Sequence, residues 1–315
     1  MCPKIVIADC SWNATDLERR QFPADWIVEA HQCRTEAEVI EAAREADALL
    51  AEYAPVTRRV LESLTRCRIV SVASTGYDNV DAEAARELGI AVANVPDYCT
   101  EDVADHTLAL MLAVSRQLPG YGAMVREGRW ELDCGRAPFR LSGKTLGLVG
   151  FGHIARAVAR RARGFGLQVV AHTGVPETVL QAEGVHRCTL DQLLAQADII
   201  SCHIPLTPET ADTFTLPVFE RMARRPLFIN TSRGRVVDEH DLALALERGL
   251  ISGAALDVLR SEPPEPGHPL LAFDNVLVTP HVGFYSAESL EALRIRSARN
   301  IRNFLEGDLE AVDLV

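Results

Sequence analysis

The sequence predicts an α/β protein made of doubly wound parallel sheets. Three observations carry that prediction. Short apolar runs alternate with helical segments along almost the whole chain, the connections between them are short, and the alternation occurs in two series separated by an aperiodic stretch at residues 121–142. A chain of 315 residues is about two domains long at ~150 residues per domain. At that length it buries about three quarters of the surface its unfolded form exposes, so its core needs no disulfide or metal staple.

The first series opens with the strand Lys4–Asp9 (KIVIAD). Thr35–Ala46 reads as a helix: Thr35 is placed to cap it, Glu38 sits at capping-box spacing, and Val39, Ala42, Ala43 and Ala46 line one face. A brief strand at Ala48–Ala51, a helix at Thr57–Leu64 and a strand at Arg68–Ala73 follow. The helix Asp81–Leu88 closes at Gly89, and Ile90–Asn94 is the next strand. Thr100–Leu118 is the longest helical run, ended by Pro119 and Gly120, and residues 121–142 read as a surface connection. The second series has strands at Thr145–Val149, Gln168–His172, Asp198–His203, Leu227–Asn230, Gly253–Leu256 and Val276–Val278. Helices are expected at His153–Gly164, Leu190–Gln196, Pro217–Met222 and Asp238–Arg248, and a last helix spans Ala287–Leu305. Six strands with interleaved helices is the count of a dinucleotide-binding fold.

Composition excludes several classes. Hydrophobic residues make up 48% of the chain and charged residues 24%, which disfavours disorder and fibrous folds. The net charge of −12 repels phosphate backbones and argues against a nucleic-acid binder, while leaving room for a local basic pocket. The eight cysteines form no C-x-x-C pair and are spread along the chain, so they predict neither a zinc site nor a disulfide framework. Scattered thiols point to a reduced, cytoplasmic setting, and no run is long and apolar enough for a membrane span.

Thr145-Leu-Gly-Leu-Val-Gly-Phe-Gly-His-Ile-Ala155 matches G-x-G-x-x-A at Gly150, Gly152 and Ala155. It follows a strand and opens a helix, the context in which such a turn binds a dinucleotide. Gly150 permits the tight turn, Gly152 lets the backbone approach a pyrophosphate, and Ala155 lets the helix pack closely. The acid usual about 20 residues further on would hold the adenosine ribose. Here that position is Thr173, and no Arg or Lys follows in Gly174–Glu177. NAD and NADP therefore both stay open.

Three further segments narrow the function: Asn230-Thr-Ser-Arg-Gly-Arg-Val-Val-Asp238, Ala254-Ala-Leu-Asp-Val-Leu-Arg-Ser-Glu-Pro263 and Thr279-Pro-His-Val-Gly283. With the glycine turn they resemble the D-isomer-specific 2-hydroxyacid dehydrogenase family. Ser74–Asp81 and Asn94–His106 agree with the same family. Tyr53–Thr57 and His281–Ser286 look nearest to its C-terminal-binding-protein-like branch, whose eukaryotic members are corepressors. The resemblance implies two Rossmann/flavodoxin-like domains with the active site in the cleft between them. A dinucleotide-binding domain at 99–286 would be inserted into a substrate-binding domain formed by 1–98 and 287–315, in a homodimer.

By the same resemblance, Arg233 would hold a substrate carboxylate and polarise the adjacent keto group, His281 would be the acid/base, and Glu262 would orient its imidazole. Implied cofactor contacts are Thr75, Gly150, Phe151, Gly152, His153, Ile154, Thr173, Ile204, Pro205, Thr210, Thr231, Ser232, Asp257 and Gly283, with Asp257 on the nicotinamide carboxamide. Implied substrate contacts are Tyr53, Ser74, Thr75, Gly76, Arg233, His281 and Phe284, and no metal is implied. His106, within a helix, reads as structural or peripheral.

The leading expectation is an NAD(P)-dependent reductase of a small 2-keto acid. The alternative is an NAD(H)-sensing, corepressor-like binding protein. In phosphoglycerate dehydrogenases the loop matching Ala51–Thr57 commonly carries a basic residue, whereas here it holds Glu52. Weak or no activity on 3-phosphoglycerate is therefore expected, and robust reduction of 3-phosphohydroxypyruvate would overturn that expectation.

Overall fold

The computed structural model describes residues 2–12 and 14–315. The chain divides into two compact units, one formed by residues up to Tyr98 together with Ser286–Val315, the other by Cys99–Tyr285. The second join thus falls one residue before the expected 286/287 boundary. Ser286 goes with the last helix because its side chain caps it, accepting from the Ser289 amide at 2.9 Å.

The split unit begins with β1 (Lys4–Ile7), α1 (Asp16–Arg19), β2 (Ile27–Ala30), α2 (Glu36–Ala43), β3 (Ala48–Ala51), α3 (Arg58–Ser63), β4 (Ile69–Val72), α4 (Ala82–Glu87) and β5 (Ala91–Ala93). All five strands are parallel, in the order β2-β1-β3-β4-β5, the flavodoxin-like winding. Alternation along β1 explains the layering. Val6 and Ala8 face the core shared with Val39, Ala43, Val60, Leu61, Ala84 and Ala85 of α2–α4, while Ile5 and Ile7 face Leu293, Ala298 and Ile301 of the C-terminal helix. The expected Thr35 capping box forms, with Thr35 Oγ1 accepting from Glu38 N and Glu38 Oε2 accepting from Thr35 N.

The inserted unit runs through α5 (Thr100–Ser115), α6 (Leu118–Arg126), β6 (Thr145–Val149), α7 (His153–Gly164), β7 (Gln168–His172), α8 (Glu177–Ala182), β8 (His186–Arg187), α9 (Leu190–Gln196), β9 (Ile199–Cys202), α10 (Leu216–Phe219), β10 (Leu227–Asn230), α11 (Glu239–Glu247), β11 (Gly253–Leu256) and β12 (Val276–Val278). Then α12 (Ala287–Glu306) returns to the split unit. The seven parallel strands lie in the order β12-β11-β10-β9-β6-β7-β8. Counted within the unit, that is 3-2-1-4-5-6 with a seventh strand added at one edge, so the winding reverses between β6 and β9, where such sheets bind dinucleotides. Helices α5, α7 and α8 pack on one face and α9, α10 and α11 on the other.

Several expectations are corrected. β2 and β8 escape the apolar pattern because they are edge strands with exposed or half-buried side chains. Pro119 and Gly120 do not simply end a helix. Gln117 turns into the left-handed region (φ 55°), and Pro119 then sits in the first turn of α6, where its missing N–H costs nothing. The first stretch of the supposed surface connection is therefore helical. All eight cysteines are free thiols. Among the described residues no helix is long and apolar enough to cross a membrane, and no group of three or more His, Cys, Asp or Glu is placed to hold a metal ion.

Candidate active site

Strand register assembles the loops of the inserted unit. Val149 pairs with Cys202, Cys202 with Asn230, Asn230 with Leu256 and Leu256 with Val278. The strands thus end level, and the segments that leave them carry the glycine turn, His203–Thr210, Thr231–Arg233, Asp257–Glu262 and Thr279–Gly283.

The glycine turn fits a dinucleotide. Gly150 has φ 93°, and a Cβ there would lie 2.4 Å from the His203 carbonyl oxygen, so only glycine serves. Gly152 is exposed, and a Cβ there would meet nothing within 4 Å. It is the N-cap of α7, and no side chain caps that helix. The first-turn N–H groups of a 12-residue helix with no acid in that turn are left for a phosphate. Ala155 is fully buried against the sheet. Of the implied contacts, Phe151 is buried in the core, so only its backbone can face a ligand, while His153 is exposed and Ile154 half-buried. After β9, Ile204 and Pro205 open a loop that Thr210 organises: its hydroxyl donates to the Pro205 carbonyl at 2.6 Å and accepts from Thr207 N at 2.7 Å. Thr173, at the end of β7, accepts from Val175 N at 3.2 Å.

Arg233 sits on a turn built by Asn230, a residue the sequence reading did not single out. The Asn230 carboxamide, 1% exposed, donates to the Arg233 carbonyl at 3.0 Å and accepts from the Ser232 N–H (3.0 Å) and hydroxyl (2.8 Å). Arg233 Nη1 donates to the Ser232 carbonyl at 2.9 Å, and the Thr231 hydroxyl pairs with that of Thr107 on α5 at 3.0 Å. Gly234 lies directly against the next loop, where a Cβ would fall 2.0 Å from the Leu259 carbonyl. That same loop presents Glu262, whose Oε1 accepts from Leu259 N at 2.9 Å and whose Oε2 faces His281 Nδ1 at 2.7 Å. The histidine, together with the Leu259 amide, holds the Glu262 carboxyl below its ordinary range, against the upward push of burial.

His281 adopts the left-handed region at φ 53°, unusual for a residue with a Cβ. Asp257 over-determines it. The Asp257 carbonyl accepts from His281 N at 2.8 Å, while its carboxylate accepts from the Val282 amide (3.0 Å), the Gly283 amide (2.8 Å) and the Thr279 hydroxyl (2.6 Å). His106 of α5 adds Nε2 at 3.3 Å from Asp257 Oδ1 and 3.0 Å from the Thr279 hydroxyl. Asp257 is 3% exposed, and burial alone would raise its pKa; His106, Thr279 and the two amides reverse that, and its carboxyl is held below the usual aspartate value. The implied role of Asp257 is therefore narrowed: most of its acceptor capacity serves the His281 turn, as does the Gly283 N–H. A Cβ on Gly283 would lie 2.8 Å from Asp257 Oδ2. Phe284 packs edge-on to His281 with centroids 6.3 Å apart.

In the split unit, Ser74–Gly76 leave β4 and are pinned from β5. Asn94 Nδ2 donates to the Thr75 carbonyl at 2.7 Å, Val95 N to the Ser74 carbonyl at 3.0 Å, and the Thr75 hydroxyl to the Val95 carbonyl at 3.1 Å. The loop after β3 is set by Asp9, which accepts from the Glu52, Tyr53 and Ala54 amides at 2.7–3.0 Å. Tyr53 is 63% exposed. Glu52 is not. Its carboxylate turns inward onto the Ser11 N–H (2.6 Å) and hydroxyl (2.8 Å), and burial raises its pKa. The expectation that Glu52 would repel a phosphate is corrected accordingly, because its carboxylate is spent on Ser11.

The two glycines separate packing from binding. Gly150→Ala is expected to lower Tm by several degrees and to abolish dinucleotide binding, because backbone must move. Gly152→Ala should leave Tm unchanged yet weaken dinucleotide affinity at least about tenfold, since its Cβ would fill the approach rather than a packed gap. Calorimetric titration beside a thermal melt reads both, and normal binding by Gly152→Ala would refute the cradle.

The chain is similar to known proteins over most of its length. Residues 108–283 match the model of the D-isomer specific 2-hydroxyacid dehydrogenase NAD-binding domain. The chain is 37% identical over 276 residues to a glyoxylate reductase of Korarchaeum cryptofilum, covering 86% of this chain and 83% of that one. It is 34% identical over 313 residues to a hydroxypyruvate reductase of Blautia hydrogenotrophica, covering 96% and 97%. A D-lactate dehydrogenase of Aquifex aeolicus, solved with NAD and lactic acid, superposes with a TM-score of 0.90 at 27% identity, over 99% of this chain and 98% of that one. With its glycine turn, its Arg233 turn and its Glu262–His281 pair on level strand ends, the chain belongs to the D-isomer-specific 2-hydroxyacid dehydrogenase family.

Proposed function

We propose that the protein reduces small 2-keto acids to 2-hydroxy acids with NAD(P)H and catalyses the reverse oxidation. The single observation that carries the roles is the 2.7 Å contact between His281 Nδ1 and Glu262 Oε2, on a loop packed against the Arg233 turn. Gly150, Gly152, Ile154, Thr173, Ile204, Pro205, Thr231 and Asp257 would hold the dinucleotide, which supplies or accepts the hydride when bound. An ionised Glu262 only accepts, so Nδ1 carries the proton and the other ring nitrogen faces the reacting oxygen. With Nδ1 held by Glu262, His281 can give a proton to the carbonyl oxygen in reduction and take it back in oxidation. The Arg233 fork suits a carboxylate bidentately and stabilises charge building on the neighbouring oxygen. Tyr53, Ser74, Thr75, Gly76 and Phe284 complete the proposed substrate contacts. Thr173 in place of an acid removes a charge that would reject a 2′-phosphate, so cofactor choice is not restricted to NAD at that position.

The sensor alternative is not favoured, since the relatives above carry enzyme names. His281→Asn is the test, because asparagine tolerates the left-handed backbone. Reduction followed by loss of reduced-nicotinamide absorbance across a keto-acid panel should slow about 10²–10⁴-fold with dinucleotide affinity unchanged. An unaltered rate would refute the acid/base role.

We also propose a cytoplasmic homodimer. Free thiols fit a reducing compartment. The segment from α6 onward exposes Leu118, Val125, Trp130 and Leu132, the last two at 89% and 94%, and large apolar side chains exposed along one segment support an interface between copies. Trp130→Glu with Leu132→Glu should convert a dimer to a monomer in light scattering. A wild-type monomer would overturn the assignment.

A further inference from the structure

Between Arg163 and Arg221 the chain contains one lysine or arginine, Arg187. It lies on the edge strand β8, where it pairs in register with Ala171 of β7, two residues before Thr173. Its side chain crosses the loop that leaves β7: Nη2 donates to the Val175 carbonyl and Nε to Glu177 Oε2 at 3.0 Å. β7 and β8 are further tied by His172 Nδ1, 3.4 Å from the Cys188 carbonyl. The fold thus delivers to the adenosine end of the proposed dinucleotide site the cation that Gly174–Glu177 lacks.

We propose that Arg187 selects a 2′-phosphorylated dinucleotide, with Glu177 as its counter-ion when none is bound. This rests on the dinucleotide role of the glycine turn proposed above. Three features support it. Thr173 contributes a hydroxyl where an acid would repel a 2′-phosphate. The guanidinium fork matches a phosphate bidentately, which an ammonium would not. The Arg187–Glu177 pair is open to solvent, with side chains 38% and 47% exposed, and such a pair is weak, so exchange of Glu177 for a phosphate dianion is favourable. The charged groups whose contacts reach the loop are Arg187 and Glu177. Glu177 alone among them opposes the phosphate, and it can turn to water.

Adenosine 2′,5′-bisphosphate and adenosine 5′-monophosphate isolate the effect, because they differ only in the 2′-phosphate. Titration calorimetry with both, alongside kcat/KM for NADPH and NADH, should be run on wild type, Arg187→Gln, Arg187→Lys and Glu177→Gln. Arg187→Gln should weaken the bisphosphate and raise the KM for NADPH at least about tenfold, leaving the monophosphate and NADH within about twofold. Arg187→Lys should fall between, and Glu177→Gln should tighten the bisphosphate severalfold. Arg187→Gln that leaves the NADPH-to-NADH ratio unchanged, in a folded protein that binds both, overturns the selector and spares the glycine-turn site. Failure of wild type to bind any dinucleotide overturns the site itself and the selector with it.

Discussion

A carboxylate withdrawn from water must have its lone pairs met or its charge surrendered, and Asp257 meets the first condition. Its acceptors are taken by a hydroxyl, two amides and an imidazole, while its own amide donates to the Asn230 carbonyl at 2.9 Å. One residue thereby joins the end of β10, through its amide, to the segment after β12 and to α5, through its side chain. The unusual backbone of His281 follows from it: three successive N–H groups, from residues 281 to 283, all point at Asp257, and a right-handed or extended His281 could not aim them there together. The ring is then set from its other side by Glu262. Geometry of this kind is costly to build and, once built, needs no further ordering when a substrate arrives.

The split unit repeats the principle with different residues. Asp9, at the end of β1, gathers three amides of the loop after β3, and Asn94 and Val95 fasten the loop after β4. In both units buried polar side chains at the carboxyl ends of strands shape the neighbouring loop. The apolar strands supply the platform, and these few hydrogen bonds decide what it displays.

What was legible in the sequence follows from these physics. Strands buried on both faces, such as Leu227–Asn230 and Ile199–Cys202, read as continuous apolar runs and were placed within a residue or two. The glycine turn was legible because its spacing is local, with Gly150, Gly152 and Ala155 between a strand and a helix, although the carbonyl that excludes a Cβ at Gly150 belongs to His203, after β9. Edge strands were not, since Ile27–Ala30 and His186–Arg187 bury too little to leave a pattern. Long-range partners were not either. Asn230 looked like the end of a strand, His106 like a helix residue, and Arg187 lay too far along the chain to be associated with Thr173, because parallel pairing brings together positions separated by a whole crossover. Glu52 misled in the opposite sense: its charge was evident, and its inward turn toward Ser11 was not.

The contact at Gly234 has a consequence for how this protein can change. With two backbones touching and no room for a methyl group, the turn bearing Arg233 and the loop bearing Glu262 behave as one rigid piece. Substitutions that alter substrate preference cannot act by reshaping that piece gradually. They must fall on side chains beside it, such as Phe284, which packs edge-on to His281. The fold thus separates a tightly packed hub from side chains around it that can change without moving backbone.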